Sequence, residues 1–259
     1  MRSVCVVPAR MGSSRYPGKP LAPLLGLPLI LHVWHRCRLD TAFDRVVIAT
    51  CDSEIEAAAI EAGADVVMTA DTHERATDRT EEAIENLKLD LDDDDFVLMV
   101  QGDEVLVNPD MTGVIVKNYE DNRPDVVNLV SRLYRTEDHD DPNTVKVVAA
   151  PNGDALYFSR APIPSRSRAD NPPAYQQTGV IGFSWSFLRK FSELPQTPLE
   201  KIESVDMLRV LEHGYPLKFV FTDIETIGVD TPADLARAEE VLRDDAATPL
   251  YMNAGESTP

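Results

Sequence analysis

Short apolar runs alternate along the first half of the chain with longer segments whose apolar residues recur at helical spacing. This alternation predicts β–α–β units around a mostly parallel sheet, in which each buried strand is followed by a helix that covers it. The predicted strands of this half cover residues 3–8, 45–50, 64–69 and 96–100. One intervening helix is predicted to open with a capping box, because Ser53 and Glu56 have the spacing that satisfies free N–H groups at a helix start. The fold class is therefore α/β.

The pattern changes from about residue 125, where strand-like runs follow one another with fewer helices between them. These runs cover residues 126–133, 144–149, 155–158 and 178–183. We therefore expect a β-rich inserted portion over about 125–195, within a single domain that spans residues 1–245. Residues 246–259 follow the last amphipathic helix and are predicted to form a flexible tail.

The chain is strongly acidic, with 44 Asp and Glu against 25 Lys and Arg in 259 residues and a formal net charge of -19. A field of this sign repels duplex nucleic acid and anionic membranes, so neither is an expected partner. Residues 1–45 are the exception, because they hold seven bases and only two acids. This basic segment predicts a small polyanion bound near the N-terminus, although a cluster of solvated surface bases is the alternative.

The three cysteines, Cys5, Cys37 and Cys51, are scattered and have neither a CxxC pair nor a nearby His at metal-binding spacing. They are typical of buried thiols in a reducing compartment rather than of a zinc site or a disulfide framework. The N-terminus lacks the continuous apolar segment of a signal peptide, and no apolar run reaches membrane-spanning length. These features predict a cytoplasmic protein.

A loop rich in small and basic residues directly follows the first predicted strand and reads PARMGSSRYPGKPL from Pro8 to Leu21. Small residues let backbone N–H groups approach a ligand, and the interleaved bases complement phosphate charge. The loop is not a Walker motif, because Gly12 lies one residue too far from Gly18 and Pro20 stands where Ser or Thr would bind magnesium. No GxGxxG string is present either, which argues against a nicotinamide-dependent oxidoreductase. An ordinary solvated connection remains the alternative.

Further motifs follow this loop in a fixed order. They are Thr77-Asp78-Arg79, Val100-Gln101-Gly102-Asp103-Glu104, Asn143 with Val145-Lys146-Val147-Val148, Ala155-Leu156-Tyr157-Phe158-Ser159-Arg160, Pro198-Leu199-Glu200 with Ile202-Glu203, Leu208-Arg209-Val210-Leu211 and Gly228-Val229-Asp230-Thr231-Pro232. Together with the loop, they resemble the bacterial CMP-Kdo synthetases (3-deoxy-manno-octulosonate cytidylyltransferases) over nearly the whole chain. The resemblance implies a Rossmann-like nucleotidyltransferase fold, with a mostly parallel central sheet flanked by helices. It also implies that the β-rich portion serves the acceptor and a homodimer contact.

The same resemblance implies a magnesium-dependent enzyme that transfers CMP from CTP to an anionic acceptor. Lys19, Asp103 and Asp230 would be catalytic, and the two carboxylates would hold Mg²⁺, which prefers oxygen ligands. The residues implied for CTP are Pro8, Ala9, Arg10, Ser13, Ser14, Arg15, Lys19, Thr77, Arg79 and Gln101. Two of these roles have structural alternatives, since Arg79 could pair with Asp78 or Glu82, and Asp230 could cap the helix that follows it.

The acceptor side is where this chain departs from the family pattern. The residues implied there are Gln101, Arg160, Gln177 and Glu203. However, Gln177 and Ile181 replace the usual His and Tyr, Met207 replaces a usual Gln, Ser165 replaces a usual Trp, and Arg75-Ala76 replaces a usual Ser-Gly. Unpaired hydroxyls of a buried polyol would cost about 1–3 kcal/mol each. We therefore expect a modified ulosonic acid or a smaller anion such as a phosphonate as the acceptor, and a catalytically silent nucleotide-binding homologue is the other alternative.

Overall fold

The computed structural model describes residues 1–12, 15–168 and 172–252. The strands of this part are β1 (Ser3–Ala9), β2 (Pro23–Leu24), β3 (Leu27–Pro28), β4 (Arg45–Thr50), β5 (Asp65–Met68), β6 (Phe96–Val100), β7 (Val126–Leu133), β8 (Lys146–Ala149), β9 (Ala155–Ser159), β10 (Ala174–Ser184) and β11 (Lys218–Thr222). The α-helices are α1 (Leu29–Arg38), α2 (Ser53–Glu61), α3 (Ala76–Leu87), α4 (Pro109–Asn122), α5 (Thr136–Asp140), α6 (Trp185–Glu193), α7 (Pro198–Glu203), α8 (Met207–Glu212), α9 (Pro232–Asp244) and α10 (Thr248–Met252).

One large sheet organises the molecule, with its strands in the order β11-β7-β10-β6-β1-β4-β5. The pairs β1–β4, β1–β6, β4–β5 and β11–β7 are parallel, whereas β10 runs antiparallel to both of its neighbours. The hairpin of β8 and β9 attaches to β10. The prediction of a mostly parallel Rossmann-like sheet flanked by helices is confirmed, and the β-rich portion extends that same sheet.

Alternating side chains of the central strands build two apolar layers, one on each face of the sheet. In β6, Phe96, Leu98 and Val100 pack into one cluster, while Val97 and Met99 pack into the other. Successive residues of a strand point to opposite faces, so a strand that is apolar throughout is buried on both sides. Helices α1 and α4 cover the first face, and α3, α6 and α8 cover the second. This explains why the strand patterns in the sequence are continuous apolar runs.

Strand direction brings distant loops to one edge of the sheet. Because β1 and β6 are parallel and in register, the loop after Ala9 and the segment after Val100 leave the sheet at the same edge. A bridge between Glu104 and Gly228 then holds the segment before α9 against the segment after β6. This edge, at the carboxyl ends of parallel strands, is where ligands bind in open α/β sheets.

Two local predictions differ from the structure. The capping box at Ser53 is wrong, because Asp52 is the N-cap of α2 and Ser53 is already helical. The Asp52 carboxylate instead accepts the Met11 N–H at 2.8 Å and so braces the loop after β1. Residues 246–252 are not a flexible tail: α10 packs on α1, and Tyr251 is 7% exposed. Residues 253–259 lie outside the described part of the chain.

None of the described helices combines the length and the apolar character needed to cross a bilayer.

Candidate active site

A polar cavity of about 580 Å³ opens at the carboxyl edge of the central strands. Its walls come from the loop after β1, the start of α3, the segment after β6, the β8–β10 region and the segment between α7 and α8. The predicted site residues on its lining are Pro8, Ala9, Arg10, Arg15, Lys19, Arg79, Gln101, Asp103, Arg160, Gln177 and Asp230. The sequence motifs thus converge on one cavity, although they are spread over more than 200 residues.

Lys19 joins the two acidic residues of the predicted pair. Its Nζ lies 2.8 Å from Asp103 Oδ2 and 3.3 Å from Asp230 Oδ1. Burial by itself would lower the pKa of Lys19, but the charges and hydrogen bonds of Asp103 and Asp230 outweigh it, so the pKa lies above its usual value. Lys19 is therefore a permanent cation between two carboxylates.

Local backbone structure explains how Asp230 reaches this place. Thr231 caps α9 by accepting the Asp234 N–H, and the Asp234 carboxylate accepts the N–H groups of Asp230 and Thr231. The cap therefore uses Thr231, which leaves the Asp230 side chain free for Lys19 and Arg15. Val229 N–H also donates to the Asp103 carbonyl at 3.2 Å, which fixes the two acidic segments side by side.

The basic loop contributes two guanidinium groups to the cavity. Arg15 forms a 2.9 Å ion pair with Asp230 Oδ2 and donates to Asn143 Oδ1 at 3.3 Å. Arg10 donates to the His73 carbonyl at 3.2 Å. Both side chains retain further N–H donors for a ligand. Ser13 and Ser14, which the resemblance assigns to CTP, lie outside the described residues.

Arg79 and Thr77 have different positions, although both belong to one motif. Arg79 is 2% exposed; its Nη1 donates to the Thr69 hydroxyl and the Ala70 carbonyl, and its Nη2 has no partner. It forms no ion pair with Asp78 or Glu82 within the described structure. Thr77 is fully buried behind the cavity wall and donates to Asp206 Oδ2 at 2.7 Å. Arg79 thus lines the cavity and holds one buried donor without a partner, whereas Thr77 supports the wall.

The acceptor-side residues are only partly brought to the cavity. Gln101 and Gln177 line it, and Gln177 Nε2 donates to Asn128 Oδ1 at 3.0 Å. Arg160 lines it too, but its guanidinium donates to backbone carbonyls of Pro142, Asn143, Glu203 and Ser204.

Glu203 does not appear on the cavity lining. Its carboxylate accepts the Arg160 N–H at 2.8 Å and the hydroxyls of Ser159 and Tyr157. These bonds use both carboxylate oxygens to hold β9 against α7. The structure therefore places Glu203 as a support of Arg160 and not at the surface that a ligand would touch.

A second polar cavity of about 400 Å³ shares Arg15, Gln101, Asp103 and Asp230 with the first. Glu104 lies on its wall, and burial, followed by the charge of Asp103, raises the pKa of Glu104 to about 7. Its Oε1 accepts the Gly179 N–H. The carboxylates of Asp103 and Asp230 therefore line two adjoining cavities.

Asn143 and Asp206 are wall residues to which the sequence assigned no role. Asn143 belongs to one of the sequence motifs named above, but its contact with Arg15 is visible only in the structure. Asp206 precedes Met207, the residue that replaces a usual Gln. Only its contact with Thr77 in the folded structure shows that Asp206 belongs to the wall.

The positions of Asp103 and Asp230 show whether the two carboxylates could hold one divalent cation together. Asp103 and Asp230 already share one positive group, the Lys19 ammonium, so their oxygens converge on a common point. No cluster of three or more His, Cys, Asp or Glu at metal-binding geometry occurs among the described residues. Magnesium is usually held by one or two carboxylates together with substrate phosphates, rather than by a complete protein cage. The two carboxylates therefore fit magnesium that arrives with a polyphosphate.

A Rossmann-like sheet that carries a basic loop opposite paired carboxylates defines a nucleotidyltransferase, an enzyme of phosphoanhydride chemistry. The chain belongs to the cytidylyltransferase family, whose sequence pattern matches residues 4–227.

Relatives at full length support this assignment. The chain is 42% identical over 249 residues to the 3-deoxy-manno-octulosonate cytidylyltransferase of Syntrophobacter fumaroxidans, which covers 95% of this chain and 99% of the relative. It is 37% identical over 247 residues to the 8-amino-3,8-dideoxy-manno-octulosonate cytidylyltransferase of Shewanella baltica. This match covers 95% of this chain and 100% of the relative. A solved structure of CMP:2-keto-3-deoxy-manno-octonic acid synthetase, complexed with CTP, superposes with a TM-score of 0.86 at 33% identity and covers 94% of this chain and 99% of that one.

Proposed function

We propose that this protein transfers CMP from CTP to an ulosonic acid of the 3-deoxy-manno-octulosonate type and releases pyrophosphate. The observation that carries the proposal is the contact of Lys19 with both Asp103 and Asp230, beside the basic loop after β1. This arrangement puts a permanent cation and paired oxygen ligands at one point of a cavity large enough for a nucleotide. The names of the full-length relatives supply the nucleotide and the acceptor class.

The triphosphate of CTP is assigned to the basic loop. Arg10 and Arg15 offer forked guanidinium donors and Lys19 offers a point charge for the phosphates, while Asp103 and Asp230 balance two of these three charges. Pro8 and Ala9 line the cavity beside them, and the resemblance adds the hydroxyls of Ser13 and Ser14. Arg79 Nη2 and Gln101 are assigned to the rest of the nucleotide.

Asp103 and Asp230 are assigned to Mg²⁺, which when bound would neutralise charge on the phosphates of CTP. In the reaction an acceptor hydroxyl oxygen forms a bond to the α-phosphorus and loses its proton, while the bond from that phosphorus to the β-phosphate oxygen breaks. Lys19 and Arg15 stabilise the negative charge that grows on the leaving pyrophosphate. Catalysis by these residues is mainly positioning and electrostatic stabilisation.

The acceptor is proposed to be an ulosonic acid whose hydroxyl pattern differs from that of 3-deoxy-manno-octulosonate itself. Ile181 and Met207, which replace polar residues of the family pattern, are fully buried in the core and offer no hydrogen bond. Gln177 presents a neutral amide oxygen in place of a titratable imidazole. An 8-amino acceptor, as named for the Shewanella baltica relative, belongs to the candidate class.

The test is acceptor-dependent release of pyrophosphate with CTP and Mg²⁺. The panel contains 3-deoxy-manno-octulosonate, its 8-amino analogue, other ulosonic acids and simple phosphonates. Turnover of a modified ulosonic acid with the highest kcat/KM supports the proposal. Fastest turnover of 3-deoxy-manno-octulosonate would refute the divergent acceptor, fastest turnover of a phosphonate would refute the sugar-acid class, and no turnover with any acceptor would support a catalytically silent homologue.

We also infer that the protein is a homodimer in the cytoplasm. The three cysteines are free thiols, as is usual in a reducing compartment. Large aromatic side chains remain exposed at the β11 end of the sheet: Phe221 on β11 is 44% exposed, and Tyr134, directly after β7, is 57% exposed. Light scattering of the purified protein tests the assembly, and a monomeric mass at micromolar concentration would contradict it.

A further inference from the structure

Arg75 is a positively charged residue of the cavity wall, and its guanidinium has no hydrogen-bond or ion-pair partner in the described chain. It lies at the N-cap position of α3, is half-buried and lines the 580 Å³ cavity. Its guanidinium forms no hydrogen bond or ion pair with any described residue, and it does not cap the helix. Its five N–H donors therefore have no acceptor in the described chain and are available to a group that enters the cavity. A ligand group with negative charge would supply the missing partner.

The other cations of the cavity are Arg160, which binds backbone carbonyls, and Arg10, Arg15 and Lys19, which are assigned above to the triphosphate. The Arg160 guanidinium is committed to backbone carbonyls, with the Glu203 carbonyl at 2.6 Å and the Pro142 carbonyl at 2.9 Å. Lys19 and Arg15 are held by the carboxylates of Asp103 and Asp230. A carboxylate entering the cavity as part of an acceptor therefore finds no ready partner in Arg160.

Arg75 is placed on the wall that faces such an acceptor. The first turn of α3 is tied to the start of α8 by the hydrogen bond from Thr77 to Asp206. Ser204, Val205 and Asp206 continue this wall towards Arg160. One turn further along α3, Arg79 lines the same cavity, is only 2% exposed and has an Nη2 without a partner. Two independent sets of unused donors thus mark this wall as a place for a ligand oxygen.

We propose that Arg75 binds the carboxylate of the acceptor and so determines which acceptors the enzyme uses. The inference rests on the proposed cytidylyl transfer to an ulosonic acid. The fork of a guanidinium matches the two oxygens of a carboxylate, and a half-buried pair of this kind discriminates strongly against an uncharged analogue. Arg75 therefore supplies the carboxylate contact that Arg160, which binds backbone carbonyls, does not.

The experiment compares Arg75→Ala and Arg75→Lys with the unaltered protein on a charged acceptor and on its uncharged C1 amide. The charged acceptor is the ulosonic acid with the highest turnover in the panel above. Arg75→Ala should raise KM for the charged acceptor roughly 10- to 100-fold and leave KM for the amide nearly unchanged. Arg75→Lys should recover part of the loss. The dissociation constant of CTP, measured without acceptor, should change less than about 2-fold. Arg243→Ala, an exposed arginine on α9, is the matched control and should behave like the unaltered protein.

Three results would overturn the inference. An equal loss on the acid and on the amide would mean that Arg75 does not contact the carboxylate. Weaker CTP binding with unchanged acceptor KM would place Arg75 on the nucleotide. Unchanged kinetics would remove it from the site. Absence of turnover in the unaltered protein is a different outcome, because it would reject the proposed function itself. Intact CTP binding by the variants shows that they remain folded.

Discussion

The Lys19 ammonium lies 2.8 Å from Asp103 Oδ2, and this contact joins two segments that are 84 positions apart in the chain. One comes from the loop after β1 and the other from the segment after β6, so the pair exists only because these strands are parallel neighbours. Asp230 joins them from a third segment through the same Nζ. The site therefore depends on the register of the central sheet as much as on the side chains themselves.

Replacing Asp103 by Asn removes one of the two carboxylate charges and retains the side-chain volume. We expect kcat/KM to fall by at least about 100-fold, because both Lys19 and a bound cation lose their charged partner. Steady-state pyrophosphate release measures the loss, and the unfolding midpoint checks the fold. Asp121→Asn, in the exposed ion pair of Asp121 with Lys117, is the matched control and should retain full activity. Near-normal turnover of Asp103→Asn would remove Asp103 from the metal role.

Gly179 is required because a side chain there would collide with Gln101. A Cβ built at Gly179 would lie 2.7 Å from Gln101 Cβ, well inside contact distance. Gly179→Ala should therefore displace Gln101 and lower kcat/KM roughly 10- to 100-fold, since displacements of about 1 Å are costly in catalysis.

Gly113→Ala provides the comparison for Gly179→Ala. Gly113 lies inside α4, where a Cβ meets nothing within 4 Å. The change should leave kinetics unaltered and stabilise the protein by about 0.5–1 kcal/mol, because Ala favours the helix. Equal kinetics for both variants would show that Gln101 is not positioned by this contact.

His32 makes the stability of the fold depend on pH. Burial lowers the pKa of His32 from 6.5 to about 4. Its neutral ring suits both neighbours, since Nε2–H can donate to the Leu24 carbonyl while Nδ1 accepts from the Tyr251 hydroxyl, each at 2.7 Å. The unfolded chain takes up this proton near pH 6.5 and the folded chain only near pH 4. The contribution is thus fully present above pH 6.5 and is lost as the pH falls towards 4.

Urea unfolding of the unaltered protein and of His32→Gln, at pH values between 4 and 7, measures this effect. The difference in unfolding free energy between the two should shrink by roughly 3 kcal/mol over this window. His213→Gln, on a half-buried histidine that bonds to the Pro195 carbonyl, is the control. A difference that stays constant with pH would mean that the pKa of His32 is the same in the folded and unfolded chains.

The ion pair between Glu200 and Arg209 should support the wall that carries Asp206. Arg209 donates to both carboxylate oxygens, at 2.6 and 2.9 Å, and both side chains are almost fully buried. Glu200→Gln should cost about 3 kcal/mol, because it leaves a buried guanidinium without its counter-charge. The exposed pair of Glu239 and Arg243 provides the control, since Glu239→Gln should change stability by less than about 1 kcal/mol. Equal effects in thermal unfolding would contradict a structural role for the buried pair.

The sequence predicted the fold and the convergence of the main site residues for a physical reason. A buried parallel strand needs a continuous apolar run, and the residue that follows it must lie at the carboxyl edge of the sheet. Gln101 and Asp103 could be placed by this rule, whereas Lys19 was placed by the family resemblance of its loop. Asp230 could be placed by its motif, although only the structure shows that Thr231 and not Asp230 caps α9.

The remaining differences come from contacts between segments that are distant in the chain. Nothing near Glu203 in the sequence indicates that Tyr157, Ser159 and Arg160 occupy its carboxylate. The start of α2 is a second example: the N-cap is Asp52 and not Ser53, and the Asp52 carboxylate binds the distant Met11 N–H. A motif identifies which residues matter together, but it does not separate those that face a ligand from those that hold them.

The docking of α10 ties the C-terminal part of the described chain to the basic loop after β1. Tyr251 bonds to His32, and the same imidazole bonds to the carbonyl of Leu24, five residues after Lys19. The Asp245 carboxylate also pairs with the buried Arg36 guanidinium at 2.6 Å. Removing the last dozen residues would therefore loosen the turn that presents the ammonium to its two carboxylates. A purification tag is better attached through a spacer beyond Met252, so that this brace stays in place.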